Sequence, residues 1–235
     1  LFLYYFIMLS NSTEQIKMIN LSLEGELSQL ALNQYVKLPF PYSHEYISQT
    51  IELFFKFLSL PSEVRDHIDF KVSPRHRRGE LGYRMRHASD DIYNDDKEFF
   101  HFHPIIFEHF GAFINQHQPV ADFLHRADKI WQAVNEIIYQ IMTTFEQTHP
   151  GCKAKIFNQD PSHVVLRFLR YSWQHSGQYL AKPHFDSGSF TFALAESTKG
   201  LRIGSGPDDL QLVNHEDRQA IFFVSSNYRK IIDTD

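Results

Sequence analysis

At 235 residues the chain is long enough for one large domain with a real core. Hydrophobic residues make up 43% and charged residues 22%, with 22 Phe and 11 Tyr, which is the composition of an ordered protein with an aromatic interior and excludes a disordered chain. The net charge of -5 supplies no overall positive field for a polyanion and argues against a nucleic-acid partner; the lone Cys152 excludes an internal disulfide and a cysteine-based zinc site, as fits a reducing, cytoplasmic compartment.

The opening "LFLYYFIML" is apolar but far shorter than the roughly 20 residues a bilayer span needs, and it lacks the charged start and cleavage site of a secretory signal. No membrane partner is expected. Because the sequence opens on Leu, residues 1–17 read as a non-native or disordered extension ahead of a start at Met8 or Met18, and 18–235 as a single domain, helical over about 18–150 and an incomplete β-sandwich over about 151–235. From Ser43, the residues Ile47, Ile51, Phe54, Phe55 and Leu58 recur on one helical face until Pro61, and "PSEVRDHI" reads as a short helical turn with Ser62 as N-cap. Residues 71–96 hold no sustained apolar period and read as a long loop, basic at Arg75, Arg77, Arg78, Arg84 and Arg86. Val120, Leu124, Ala127, Trp131, Val134, Ile138, Ile141 and Phe145 keep a 3.6-residue period until "THPG", which predicts a long helix with a core-facing stripe.

After Gly151 the period changes from helical to extended. "HVVLRFLRY", "SFTFALA", "GLRIG", "DLQLV" and "AIFFVSS" predict short strands separated by turn residues. Helices first and strands afterwards predict an α+β protein with a mainly β core: an antiparallel sandwich or barrel of jelly-roll type with helices packed on it. There is no internal repeat, no phosphate-binding glycine loop and no serine-hydrolase elbow.

One tripeptide raises a chemical question. In an extended segment, residues i and i+2 point to the same side, so His184 and Asp186 can converge on one ion while Phe185 faces away. Imidazole and carboxylate are ligands of non-haem iron(II) oxygenases, which add a second histidine and leave positions open for co-substrate and oxygen. The plain alternative is two polar residues at the mouth of a strand. A second candidate is "FFHFHPIIFEHF", where His101 and His103 share a face and His109 follows; joined to His184 and Asp186, they would make a metal-dependent hydrolase.

The order of several motifs resembles the isopenicillin N synthase-like family of iron(II), 2-oxoglutarate-dependent oxygenases. "FFKFLSLPSEVRDHI" is similar to its early helix and Leu-Pro segment, "GELGYR" to its Gly-Tyr loop, "DDKEFFHF" to its Lys-Glu-x-Phe signature, "LRFLRY" to its strand ending in Tyr, "HFDSGSFTFAL" to its His-x-Asp strand, and "KGLRIG" to its Gly-Leu turn. The resemblance spans about residues 18–232. It implies a double-stranded β-helix braced by a long helix, with His184 and Asp186 as metal ligands for Fe(II) and Tyr171 contacting 2-oxoglutarate as co-substrate. Tyr83 and Arg84 would border the mouth for a small-molecule substrate, which is oxidised with O2. The family's second histidine and its Arg-x-Ser grip on 2-oxoglutarate fall past Asp235, so the resemblance also implies a C-terminally truncated member that lacks its last strands and, with two iron ligands, is inactive by itself. His215, in "LVNHEDRQ", and Arg229, in "NYRK", lie too early to replace them. A non-catalytic remnant that keeps the fold and binds a small ligand is the competing expectation.

Overall fold

The computed structural model describes residues 33–71, 80–87, 96–157, 164–172, 180–186 and 188–232, with isolated positions between 23 and 30. The expectations for residues 1–17 and for Arg75, Arg77 and Arg78 lie outside the described residues. Helix α1 (His44–Leu58) starts where predicted: the Ser43 side chain accepts from Tyr46 N, and Ile47, Thr50, Phe54, Phe57 and Leu58 form its buried stripe. Helix α2 (Ser62–Arg65) differs in one detail. Pro61 holds the N-cap position without a side-chain bond, and Ser62 is the first helical residue. Helix α3 (Ile105–Gln116) was not legible as a helix, because apolar residues fall on every side of it. Helix α4 (Gln118–Phe145) is the predicted long helix, with a proline in its first turn and eleven buried residues.

Among the described residues the strands form two antiparallel sheets and a small ribbon. Sheet I has the order β1 (Tyr35–Pro39), β9 (Gln219–Val224), β6 (Phe190–Ala193); sheet II runs β2 (Asp69–Lys71), β3 (Glu80–Arg86), β4 (Lys97–Phe102), β5 (Leu166–Tyr171); β7 (Arg202–Ile203) pairs with β8 (Gln211–Leu212). The segment expected as one loop over 71–96 thus contains β3, an interior strand of sheet II. Its alternation of Leu81, Tyr83 and Met85 against Gly82, Arg84 and Arg86 is a strand signal masked by the density of arginine. Gly82 is required there: its φ is 97°, and an added Cβ would stand 1.8 Å from Ile68 O.

At about 1.5 Å per residue, α4 is long enough to underlie both sheets. Its first half meets an aromatic cluster in which the Phe123 ring touches Phe54, Phe57, Phe100 and Phe168 at centroid distances of 5.5, 5.4, 5.4 and 5.0 Å. Its second half, from Ile130 to Met142, packs on Val36, Leu38, Ala220 and Phe222 of sheet I. Trp131 joins the two by donating from Nε1 to Val164 O at 2.8 Å. Strand alternation then sorts the remaining side chains. In sheet II, Leu81, Tyr83, Phe100, Phe102 and Phe168 face α4, so Arg84, Lys97, His101, Arg167 and Tyr171 face away. In sheet I, Phe190, Phe192, Ala220 and Phe222 face α4, so Thr191, Ile221 and Phe223 face away. These distal faces are not open surface, since Ile221 is 1% exposed and Lys97 and His101 are 7% and 6% exposed.

Candidate functional site

His184 and Asp186 stand just ahead of β6, in a segment that is irregular where a strand was expected. Pro183 has no N–H to give to a ladder. The segment's backbone is instead stitched to the turn after β9: Ser226 N donates to Asp186 O at 3.0 Å, Asn227 N to Gly188 O at 3.0 Å and Ser225 N to Ser189 O at 2.9 Å. The Ser226 hydroxyl donates to the same Asp186 carbonyl at 2.7 Å. Long-range bonding thus fixes what local pairing does not.

The two side chains nevertheless converge. His184 Nδ1 lies 2.7 Å from Lys182 O; a carbonyl only accepts, so Nδ1 carries a proton, and Nε2 is the nitrogen turned toward Asp186. Nε2 is 3.5 Å from Asp186 Oδ1, too long for a good hydrogen bond. Two atoms each about 2.1 Å from one ion stand about 3.0 to 3.4 Å apart for right-angled to tetrahedral geometry, so the pair is set close to the bite of a shared metal. The remaining oxygen, Oδ2, accepts from the Thr191 hydroxyl at 2.7 Å. Their side chains are 35% and 39% exposed, which leaves the pair reachable. Among the described residues no group of three or more His, Cys, Asp and Glu forms a metal cluster.

Tyr171 ends β5 on the distal face of sheet II, with the Lys97 ammonium 5.3 Å from its ring centroid. Thr191, which holds Asp186, is on the distal face of sheet I. The candidate iron and 2-oxoglutarate residues therefore share the side of their sheets that turns from α4. Tyr83 does not. It lies on the opposite, α4-facing side, 7% exposed, donating its hydroxyl to Glu98 Oε1 at 2.8 Å with the Arg65 guanidinium 4.3 Å over its ring. Burial, and secondly Glu98, push its pKa up to about 12. Instead of bordering a loop mouth, Tyr83 is thus an interior strand residue. Arg84 is on the distal face and is bonded to Asp69 and to Tyr83 O.

The other candidate histidines pack against different neighbours. His101 Nδ1 meets Glu80 O at 2.9 Å and its Nε2 accepts from Arg167 Nε at 2.7 Å, so both ring nitrogens are engaged and the hydrolase constellation is not assembled. His103 accepts from Ile105 N and stands edge-on to Trp131; His109 stacks on Phe70 at 4.0 Å. His215 is buried beside Glu196, with Nδ1 3.6 Å from Oε1, and burial holds its pKa below the ordinary value. Glu196 follows β6, whereas Asp186 precedes it, so His215 belongs to the far end of that strand. Arg229 Nε donates to the hydroxyl of its neighbour Tyr228 at 3.3 Å. Sequence reading missed Ser225 and Ser226; the doublet closing "AIFFVSS" was the only trace of them.

No family model matches the sequence, and no curated protein does. Solved structures do. A protein from Shewanella oneidensis provisionally assigned as an oxygenase has a TM-score of 0.55 at 16% identity, over 85% of this chain and 71% of that one. One from Caulobacter crescentus, provisionally assigned to the 2OG-Fe(II) oxygenase family, has a TM-score of 0.53 at 15% identity, over 85% and 68%. A full-length protein from Neurospora crassa, solved in complex with alpha-KG, has a TM-score of 0.54 at 17% identity, over 84% of this chain and 62% of that one. The mixed helix and antiparallel-sheet fold is therefore similar to that of 2OG-Fe(II) oxygenases.

Proposed function

We propose that this chain is an iron(II), 2-oxoglutarate-dependent oxygenase domain acting on a small organic molecule, with His184 Nε2 and Asp186 Oδ1 as metal ligands. The observation that carries this reading is the pair itself. An imidazole whose proton is committed to Lys182 O faces, at 3.5 Å, a carboxylate whose other oxygen is committed to Thr191. Nitrogen plus carboxylate oxygen are two of the three protein ligands of a non-haem Fe(II) facial triad. The shared fold adds to it, as does the bound alpha-KG of the Neurospora protein.

Bound iron supplies the redox chemistry by which O2 and 2-oxoglutarate yield succinate, carbon dioxide and an oxidised C–H bond of the substrate. The chain's own part is to bind and orient. Tyr171 contributes a phenol to a 2-oxoglutarate carboxylate from the distal face of sheet II, and the two distal faces form the walls of the site, as in a double-stranded β-helix. Succinate release from 2-oxoglutarate in the presence of Fe(II) and O2 tests the activity. His184→Ala should abolish it, and release that persists in this variant removes His184 from the mechanism.

A further inference from the structure

Asp186 Oδ2 accepts from Thr191 Oγ1 at 2.7 Å, and Thr191 Oγ1 lies 2.9 Å from Ser225 Oγ. The second contact alone has no direction, since either hydroxyl is able to donate. The first contact sets it: an ionised carboxylate only accepts, so the single hydroxyl proton of Thr191 is spent on Asp186, and Ser225 must donate to Thr191.

We propose that Ser225 and Thr191 form a directed hydroxyl relay whose function is to position Asp186, holding Oδ2 back so that Oδ1 alone is turned to His184 Nε2 and the metal. The inference rests on the metal reading given above and deepens it. A free carboxylate rotates and binds a metal through either oxygen or both. Tying one oxygen makes the ligand monodentate and fixes its plane, which keeps neighbouring coordination positions open for co-substrate and oxygen. The relay sits at the end of the β6–β9 ladder of sheet I. Thr191 is opposite Phe223 in the β6–β9 ladder, so Ser225 is its diagonal neighbour on the same face. Thr191 is β-branched and restricted about χ1, and Ser225 is 4% exposed with its N–H held by Ser189 O. The relay is sheltered while the carboxylate it orients is 39% exposed. Both are positioning residues and touch no metal themselves.

Binding of Mn(II) to the full chain, followed by electron paramagnetic resonance of free and bound ion, tests this without turnover. Thr191→Val keeps the shape and deletes the hydroxyl; it should weaken Mn(II) binding by about 10–100-fold, the usual loss when an outer partner of a ligand is removed, and broaden the bound signal. Ser225→Ala should lower affinity less, and Thr191→Ser should retain most of it. Wild-type affinity in Thr191→Val, alongside loss in Asp186→Asn, overturns the relay and leaves the metal site standing. Equal losses in Thr191→Ser and Thr191→Val assign the effect to packing and also overturn it. A wild-type chain that binds no Mn(II) overturns the metal reading, and the relay falls with it.

Discussion

Two polar arrangements lie on opposite sides of the sheets, and they are built to opposite ends. On the α4 side, Glu98 takes the Tyr83 hydroxyl on one oxygen and the Arg170 guanidinium on the other. Glu98 is 6% exposed and Tyr83 7%. Both carboxylate oxygens are used, and the bonds tie β3, β4 and β5 together. On the distal side, His184 and Asp186 each commit one atom to the protein and turn the other toward each other, more than a third of their side-chain surface exposed. A buried polar group left unsatisfied is expensive, so closed clusters serve stability. Atoms that are oriented yet left accessible serve chemistry.

That contrast predicts a separation of effects. Phe123→Ala, which removes the ring shared by four others, should cost about 3–5 kcal/mol in urea unfolding. Gly82→Ala should follow, at about 1–3 kcal/mol, because the strained φ and the clash with Ile68 O are both backbone-borne. Tyr83→Phe should cost about 1.5 kcal/mol by removing the bond to a charged acceptor. Its pH signature is specific. A pKa raised in the native state means stability fully present below the ordinary phenol value of 10.0 and lost as pH rises through about 12, and Tyr83→Phe should flatten that part of the curve. None of these variants should change metal affinity in the fraction that remains folded. His184→Ala should do the reverse, shifting stability by no more than about 0.5 kcal/mol while metal binding is lost. The smallest effect belongs to His215. Its native pKa is depressed by burial, so its contribution is whole above the ordinary imidazole value of 6.5 and declines as pH falls below it. A urea midpoint that is level across that value sinks the assignment.

Much of the architecture was legible in the sequence: α1 and α4 announce themselves by apolar stripes, β5 and β6 by alternation, and β9 as a short run bounded by turn residues. Where both faces of an element carry large side chains, the period vanishes. That is why α3, apolar on every side, was not read as a helix; in β3 the alternation is present but masked by the density of arginine. For the site, the identities of His184 and Asp186 were visible, but not what orients them. The bonds from Ser226 and Asn227 span about forty positions in sequence, a separation no local pattern reports. The same blindness placed Tyr83 at a mouth. Only pairing register shows that it faces the core.

The most direct test of the central claim is anaerobic addition of Fe(II) and 2-oxoglutarate to the full chain, read in the visible spectrum. If His184 and Asp186 hold the metal beside the co-substrate, a charge-transfer band develops in the wild type and is missing in both His184→Ala and Asp186→Ala. A band of undiminished intensity in either variant, or none in the folded wild type, contradicts the account.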